Sequence, residues 1–336
     1  MANAEHFSLP TPGTDLADAR SYLQPTAPGL ANGGFGMVRE NGTRFHAGID
    51  IRPHAWSPEG EAADPVFATA AGRVAYVNRA ANASNYGIHV IVEHGDLSLP
   101  VLSLYAHLAE ARQDLIPGMV LAAGEVLGRM GHTGSGYEIP RTQSHLHFGL
   151  GVHLGDADSF DRWYARQGFS EANGHGHWNT LNVAFFDPLP ILRGAISVPL
   201  AKYLQDQPTA FTTRIAAGQI PQLLRRCPAL WLNRPDRDGG APAGFTVEWT
   251  WYGLPKSWTG STENVPESGA VEVQLLRWQK DLLDLALRRK TLERDGDGTV
   301  WPGECTRQTL EKIFGLPVKS VAPAGNSPTG MADDEG

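Results

Sequence analysis

His145-Leu146-His147-Phe148-Gly149-Leu150-Gly151 sets two imidazoles at i and i+2 between apolar residues. Successive side chains on a strand point to opposite faces. The spacing therefore places His145 and His147 on one face and turns Leu146, Phe148 and Leu150 toward a core. At a rise of roughly 3.3 Å per residue the two rings start ~6.6 Å apart. One can then ligate a metal while the other works on the water that the metal holds. Taken alone, the pair reads either as two solvated polar side chains or as part of a metal site.

Phe45-His46-Ala47-Gly48-Ile49-Asp50-Ile51 supplies a second pattern, with Ile49 and Ile51 alternating with Gly48 and Asp50. His46 and Asp50 share a side. A straight strand would hold their Cα atoms ~13 Å apart, too far for ligands whose donor atoms lie about 2.0–2.2 Å from zinc, so the chain is expected to bend between them. Gly48 is placed to allow the bend, because it adopts φ values closed to other residues and leaves the approach to a metal open. Gly48 and the β-branched Ile49 and Ile51 argue against a helix here. Two histidines and one carboxylate leave a fourth position free, the arrangement with which catalytic zinc holds a water. A closed, cysteine-rich structural site is disfavoured, since Cys227 and Cys305 lie far from both clusters and from each other.

A third histidine ends the alternating run Val101-Leu102-Ser103-Leu104-Tyr105-Ala106-His107-Leu108. Alternation puts His107 with Ser103 and Tyr105 on the polar face of a strand, where it is either solvated, hydrogen-bonded or catalytic.

In their order, HAGID at 46–50, LYAHL at 104–108 and SHLHFGL at 144–150 resemble the lysostaphin/LytM-type zinc metallopeptidases, a family of bacterial cell-wall endopeptidases. The intervening text is similar too. Asp64 to Val74 resembles the family's paired strands around Ala-Ala-Gly, Tyr86 to Gly95 its next strand, and Pro117 to Gly134 the turn-rich segment before HxH. Phe186-Asp187-Pro188-Leu189 resembles its closing DPL. The likeness runs from about His46 to Leu192. It implies one Zn²⁺ per chain, held by His46, Asp50 and His147, with His107 and His145 as the catalytic histidines. Zinc lowers the pKa of its water toward ~7 and polarises the scissile carbonyl. The two histidines would then accept the water's proton, steady the oxyanion and protonate the leaving amine, with the division between them left open.

Two segments depart from the family pattern. Ser135 to Ser144 lengthens the loop before HxH, and Gly151 to Asn182 lengthens the span before DPL, with a second HxH at His175 and His177. Lacking flanking apolar alternation, His175 and His177 read as part of a flexible polar loop.

These residues need a β framework. The expected fold is a mainly β catalytic domain built on an antiparallel sheet, plus a small α-helical carboxy-terminal domain, α+β overall. The expected divisions are an amino-terminal extension over 1–24, a zinc endopeptidase domain over 25–195, and a linker or intermediate segment over 196–265. A helical domain over 266–317 and a disordered tail over 318–336 complete the chain. Within the intermediate segment, Trp249 and Trp251 sit on a candidate strand, either against a ligand or in a core. Val271, Leu275, Trp278, Leu282 and Leu285 fall at steps of three and four, which predicts an amphipathic helix. A second helix through Leu310, Ile313 and Phe314 follows the Asp295–Thr299 loop. Together they resemble a three-helix peptidoglycan-binding domain, with two extra residues between DG and G. Calcium is disfavoured at DGDGT, because loop position 12 is Thr306 rather than a bidentate Glu.

At 336 residues the chain is long enough for a substantial core and two domains. With 28 Lys and Arg against 36 Asp and Glu, its net charge of −8 disfavours nucleic acid as a partner, and the family resemblance implies peptidoglycan as the partner instead. The two cysteines cannot form a disulfide framework, and free thiols are expected rather than a Cys227–Cys305 bridge. No run approaches the ~18 apolar residues of a membrane helix, and Met1 to Phe7 shows no secretory signal. A monomer is expected, made in the cytoplasm and acting in the periplasm or cell wall. It would arrive there as a secreted mature fragment with a new start, by lysis, as a phage enzyme does, or by injection, as a type VI effector does, with a secretion machine or an immunity protein as a further candidate partner. The competing expectation is a catalytically inactive murein-binding or amidase-activating protein on the same fold.

Overall fold

The computed structural model describes residues 5–13, 22–25, 30–136, 138–194, 196–234, 242–261, 271–321 and 330–331. Half of the expected amino-terminal extension, most of the expected tail, and Tyr137 of the long loop lie outside them. The chain divides into two units, Met1–Val152 with Phe185–Leu200, and His153–Ala184 with Ala201–Gly336. No helix among the described residues is long and apolar enough to cross a membrane.

The first unit is built on antiparallel strands. A small hairpin pairs β1 (Gly36–Arg39) with β2 (Arg44–His46). The main sheet contains β3 (Ile49–Ile51), β4 (Pro65–Phe67), β5 (Gly72–Asn78), β6 (Ile88–His94), β7 (Val101–Ala111), β8 (Val120–Leu121), β9 (Val126–Met130), β10 (Leu146–His153) and β11 (Val183–Phe186). Its central order is β11-β10-β7-β6-β5-β8, with β3 on β10 and β9 bridging β4 and β7. Ile49, Ile51, Val90, Val92, Leu146, Phe148 and Leu150 are fully buried. Each contributes roughly 1.5–3 kcal/mol by leaving water, so the sheet that carries the site is also the core.

The polar face expected of β7 is buried as well. Tyr105 Oη accepts from Thr69 N at 2.9 Å, Ser103 Oγ donates to Tyr105 Oη at 3.0 Å, and His94 Nε2 lies 2.8 Å from Ser103 Oγ. Burying hydroxyls is tolerated because each finds a partner.

The second unit has its own sheet, of β12 (Phe211–Ala216), β13 (Gly244–Trp249), β14 (Pro255–Ser261), β15 (Val271–Gln279) and β16 (Val318–Val321), in the order β14-β13-β12-β15-β16. The linker or intermediate segment expected over 196–265 holds three strands of this sheet. Trp249 is fully buried, stacks on Phe211 and donates from Nε1 to Thr213 Oγ1 at 2.9 Å, so it belongs to a core.

Residues 271–279 form a strand, not a helix. The buried set is Val271, Val273 and Leu275, with Glu272 and Gln274 between them facing outward, a period of two that the three- and four-residue steps concealed. Helices do follow, at Leu283–Arg288 and Glu304–Phe314. Residues 271–314 therefore keep two helices of the three that the peptidoglycan-binding resemblance implied. Val318–Val321, expected to be disordered, run parallel to β15, with Val271 opposite Val318.

His177 lies in a 3-10 turn, Gly176–Trp178, instead of a loose loop. His153 stacks on Trp178 with ring centroids 5.0 Å apart and donates from Nε2 to the His177 carbonyl at 2.7 Å. Cys227 is buried, Cys305 is half-buried, and neither forms a disulfide.

Candidate metal centre

Three elements of the first unit bring the site together. β3 pairs with β10 so that Asp50 stands directly opposite His147, and Ile49 opposite Phe148. Opposed residues in an antiparallel pair project to the same side, so one register fixes both the ligand pair and the core behind it. His46 ends β2, and the chain turns through Ala47 and Gly48 before β3 begins, which is the expected bend. The reason for glycine differs from the expectation. Gly48 is absent from the positive-φ residues, but a Cβ there would lie 2.4 Å from the Phe148 carbonyl oxygen and 2.9 Å from His147 Nε2. Close approach, not an unusual φ, is what requires it. Gly48→Ala should therefore lower the thermal midpoint and weaken metal binding, at roughly 1–3 kcal/mol for overpacking. Unchanged melting and zinc affinity would show that the strand can shift to accept the methyl.

His46 Nε2, His147 Nδ1 and Asp50 Oδ1 are mutually 3.0–3.1 Å apart. Donors about 2.0–2.2 Å from one tetrahedral zinc lie about 3.4 Å from one another, so this triangle fits the ion with small adjustment, and the N, N, O donor set suits it chemically. The three residues are also the one group of metal-ligating side chains found together among the described residues. All are buried, Asp50 completely. His46 Nδ1 donates to the Gly34 carbonyl at 2.6 Å, which fixes the tautomer and turns the Nε2 lone pair toward Asp50 and His147.

His145 and His107 lie beside this triangle and outside it. His145 Nε2 is 3.7 Å from Asp50 Oδ2, while its Nδ1 donates to the Gln143 carbonyl at 2.8 Å. His107 Nδ1 donates to the Thr133 carbonyl at 2.7 Å, and its ring centroid is 4.9 Å from that of His145. Each ring is thus held by one nitrogen, leaving Nε2 as the reactive one.

The route by which His107 reaches the site departs from simple alternation. Tyr105 stands opposite Phe148 and Ala106 opposite His147, so a regular β7 would send His107 to the Phe148 side with Tyr105, away from His147. Instead His107 adopts φ +60°, the pairing of β7 with β6 shifts register there, between Tyr105 and Leu108, and its pairing with β9 shifts just beyond, between Leu108 and Glu110. A left-handed residue in a strand makes a bulge and re-aims its side chain. Such strain in a non-glycine residue costs of order 1–3 kcal/mol and clusters at functional sites.

Burial pulls the Asp50 carboxyl upward, but His46, His145 and His147 outweigh it and hold Asp50 well below the usual carboxylate range. Burial, reinforced by His145 and His147, pushes His107 well below the ordinary histidine value. Burial also takes His147 down to about 4. At neutral pH the site therefore offers an ionised Asp50 carboxylate and neutral imidazoles at His107 and His147, the forms that ligate a metal or accept a proton.

The five residues line a cleft of about 800 Å³, together with Arg39, Arg44, Tyr86, Ile139 and Gln143 among others. Tyr86 packs on His147 at 5.2 Å between ring centroids. Arg39 donates to Asp50 Oδ2. Neither Tyr86 nor Arg39 was singled out by sequence, because an isolated tyrosine or arginine near a strand end carries no spacing signal.

Residues 44–158 match the model of peptidase family M23. All five site residues fall inside this M23-matching segment, which carries an M23-peptidase-like fold with its His/Asp/His cluster. Arg39 lies outside it. Among solved structures, the catalytic domain of the antimicrobial peptidase lysostaphin from Staphylococcus simulans is 19% identical, over 52% of this chain and 95% of that one, with a TM-score of 0.29. Csd3 from Helicobacter pylori is 19% identical over 44% of this chain, with a TM-score of 0.27, and the match spans 30% of the Csd3 chain. A zinc-containing peptidase from Vibrio cholerae is 25% identical over 44% of this chain and 36% of that one, with a TM-score of 0.29. Comparison with curated proteins gave no match.

Proposed function

We propose that the chain is a zinc-dependent endopeptidase that hydrolyses peptide bonds in the cross-links or stem peptides of peptidoglycan. The observation that carries this reading is the pairing of two histidine sets on one wall of a cleft. His46, Asp50 and His147 converge three donor atoms within 3.0–3.1 Å, and His107 and His145 stand next to them with Nδ1 tied to backbone. A metal-binding protein with no catalytic duty needs the first set and has no use for the second.

Held by His46, Asp50 and His147, zinc would supply a Lewis acid for the scissile carbonyl and acidify a water. The side chains do the rest. His107, kept neutral by burial, is fitted to take a proton at Nε2, and His145, within reach of the same space, to steady the oxyanion or return a proton to the leaving amine. Tyr86 and the 138–143 segment wall the cleft and restrict which peptide can lie across it. The protein would act on the wall, in the periplasm or outside the cell.

Digestion of purified murein, read by mass spectrometry, tests the proposal. New peptide termini should appear with stoichiometric zinc, disappear on chelation and return on adding zinc back. Murein that stays intact at one bound zinc per chain would sink the enzyme reading and leave a wall-binding or amidase-activating role.

A further inference from the structure

Arg39 ends β1, outside the M23-matching segment, yet its guanidinium reaches two of the three metal-ligating side chains. Nη2 donates to Asp50 Oδ2 and lies 3.1 Å from His46 Nε2. The nature of the second contact follows from the tautomer. The Gly34 carbonyl can only accept, so the hydrogen bond at 2.6 Å places the proton of His46 on Nδ1 and leaves a single lone pair on Nε2. The Arg39 N–H donates to that lone pair. A bond from His46 to a metal requires the same one.

The carboxylate is contested too. Asp50 is fully buried and the Arg39 side chain is 14% exposed, so the guanidinium is the cation that matches this buried negative charge. A divalent ion on Asp50 Oδ1 would place a second, larger positive charge beside it, with little water to screen the two.

We propose that Arg39 and the metal are competing occupants of one site: Arg39 holds Asp50 and the His46 lone pair until a divalent cation takes them, and withdraws along the cleft wall when it does. The inference rests on the zinc reading above. It also sets a sign. Were Arg39 instead a supporting partner that steadies Asp50 for the metal, its loss would weaken zinc binding by 10–100-fold, as loss of such partners does. Competition requires the opposite change.

The full chain, stripped with chelator, is titrated with zinc against a chromophoric competing chelator, as wild type, Arg39→Met and Arg39→Lys. Arg39→Met, which keeps the stem and removes the charge, is expected to bind zinc at least ten-fold tighter, and Arg39→Lys, with shorter reach, to fall between. Stripped Arg39→Met should also melt below the stripped wild type, because Asp50 is left buried without its cation, and gain more on adding zinc. Equal or weaker zinc affinity in both variants overturns the proposal. If Arg39→Met does not fold when stripped, Arg39→Lys decides alone, and an affinity no tighter than wild type overturns it. A wild type that binds no zinc overturns the metal reading and this inference with it. A wild type that binds one zinc, beside variants no tighter, overturns this inference only.

Discussion

His147→Ala should lose zinc and activity together, whereas His145→Ala should keep its zinc and lose turnover by roughly 10²–10⁴-fold, the range for removing a positioned acid or base. The two residues are separated by one position in sequence and share a face, so only geometry distinguishes them. His147 Nδ1 is 3.0 Å from His46 Nε2 and 3.1 Å from Asp50 Oδ1, inside the donor triangle. His145 Nε2 meets the far oxygen of Asp50 at 3.7 Å, with its other nitrogen committed to the Gln143 carbonyl. Zinc content by atomic spectroscopy, set beside kcat on a soluble peptide, reads both effects. Equal zinc loss in the two variants would show that the ligand assignment is wrong. If His145→Ala keeps both zinc and rate, its catalytic assignment fails instead.

His107→Ala, His107→Asn and His107→Gly should all lose activity by a similar factor, roughly 10²–10⁴-fold, while differing in stability. The left-handed backbone at φ +60° is the cause. Alanine is strained there by about 1–2 kcal/mol, asparagine tolerates the conformation better and glycine adopts it freely. The urea midpoint of the glycine variant should therefore lie at or above that of the alanine variant, although glycine is ordinarily the more destabilising choice within a strand. The reverse order would mean that the bulge relaxes once the ring is gone, and that the imidazole itself holds the backbone in place. Full activity in any of the three would remove His107 from the reaction.

Much of the site was legible because it is written in strand periodicity. Leu146, Phe148 and Leu150 had to face a core, so His145 and His147 had to face away from it, and the His46–Asp50 spacing demanded a bend at the only glycine between them. What escaped was whatever breaks or imitates a period. His107 is delivered by a bulge, and no pattern of side-chain types announces a single left-handed residue. In β15, Val271 and Leu275 satisfy helical and strand spacing alike, and the deciding residue was Val273, which a helical face has no place for. The long-range partners were silent for a different reason. The carbonyls of Gly34, Thr133 and Gln143 that orient three imidazoles are backbone atoms, present at every position and therefore unmarked. Arg39 matters through contacts with His46 and Asp50, seven and eleven positions further along the chain.

The two carbonyls that orient His107 and His145 belong to Thr133, two residues before the lengthened loop, and Gln143, next to its last residue, and Ile139 of that loop also lines the cleft. Under the proposed function, substrate choice and proton transfer would therefore be mechanically linked. Transplanting this loop from a relative, or trimming it, would alter not only which peptide enters but also the aim of both rings, so swapped variants should change in preference and lose rate together. A designer seeking a new specificity would have to vary the middle of the loop and leave its two ends alone.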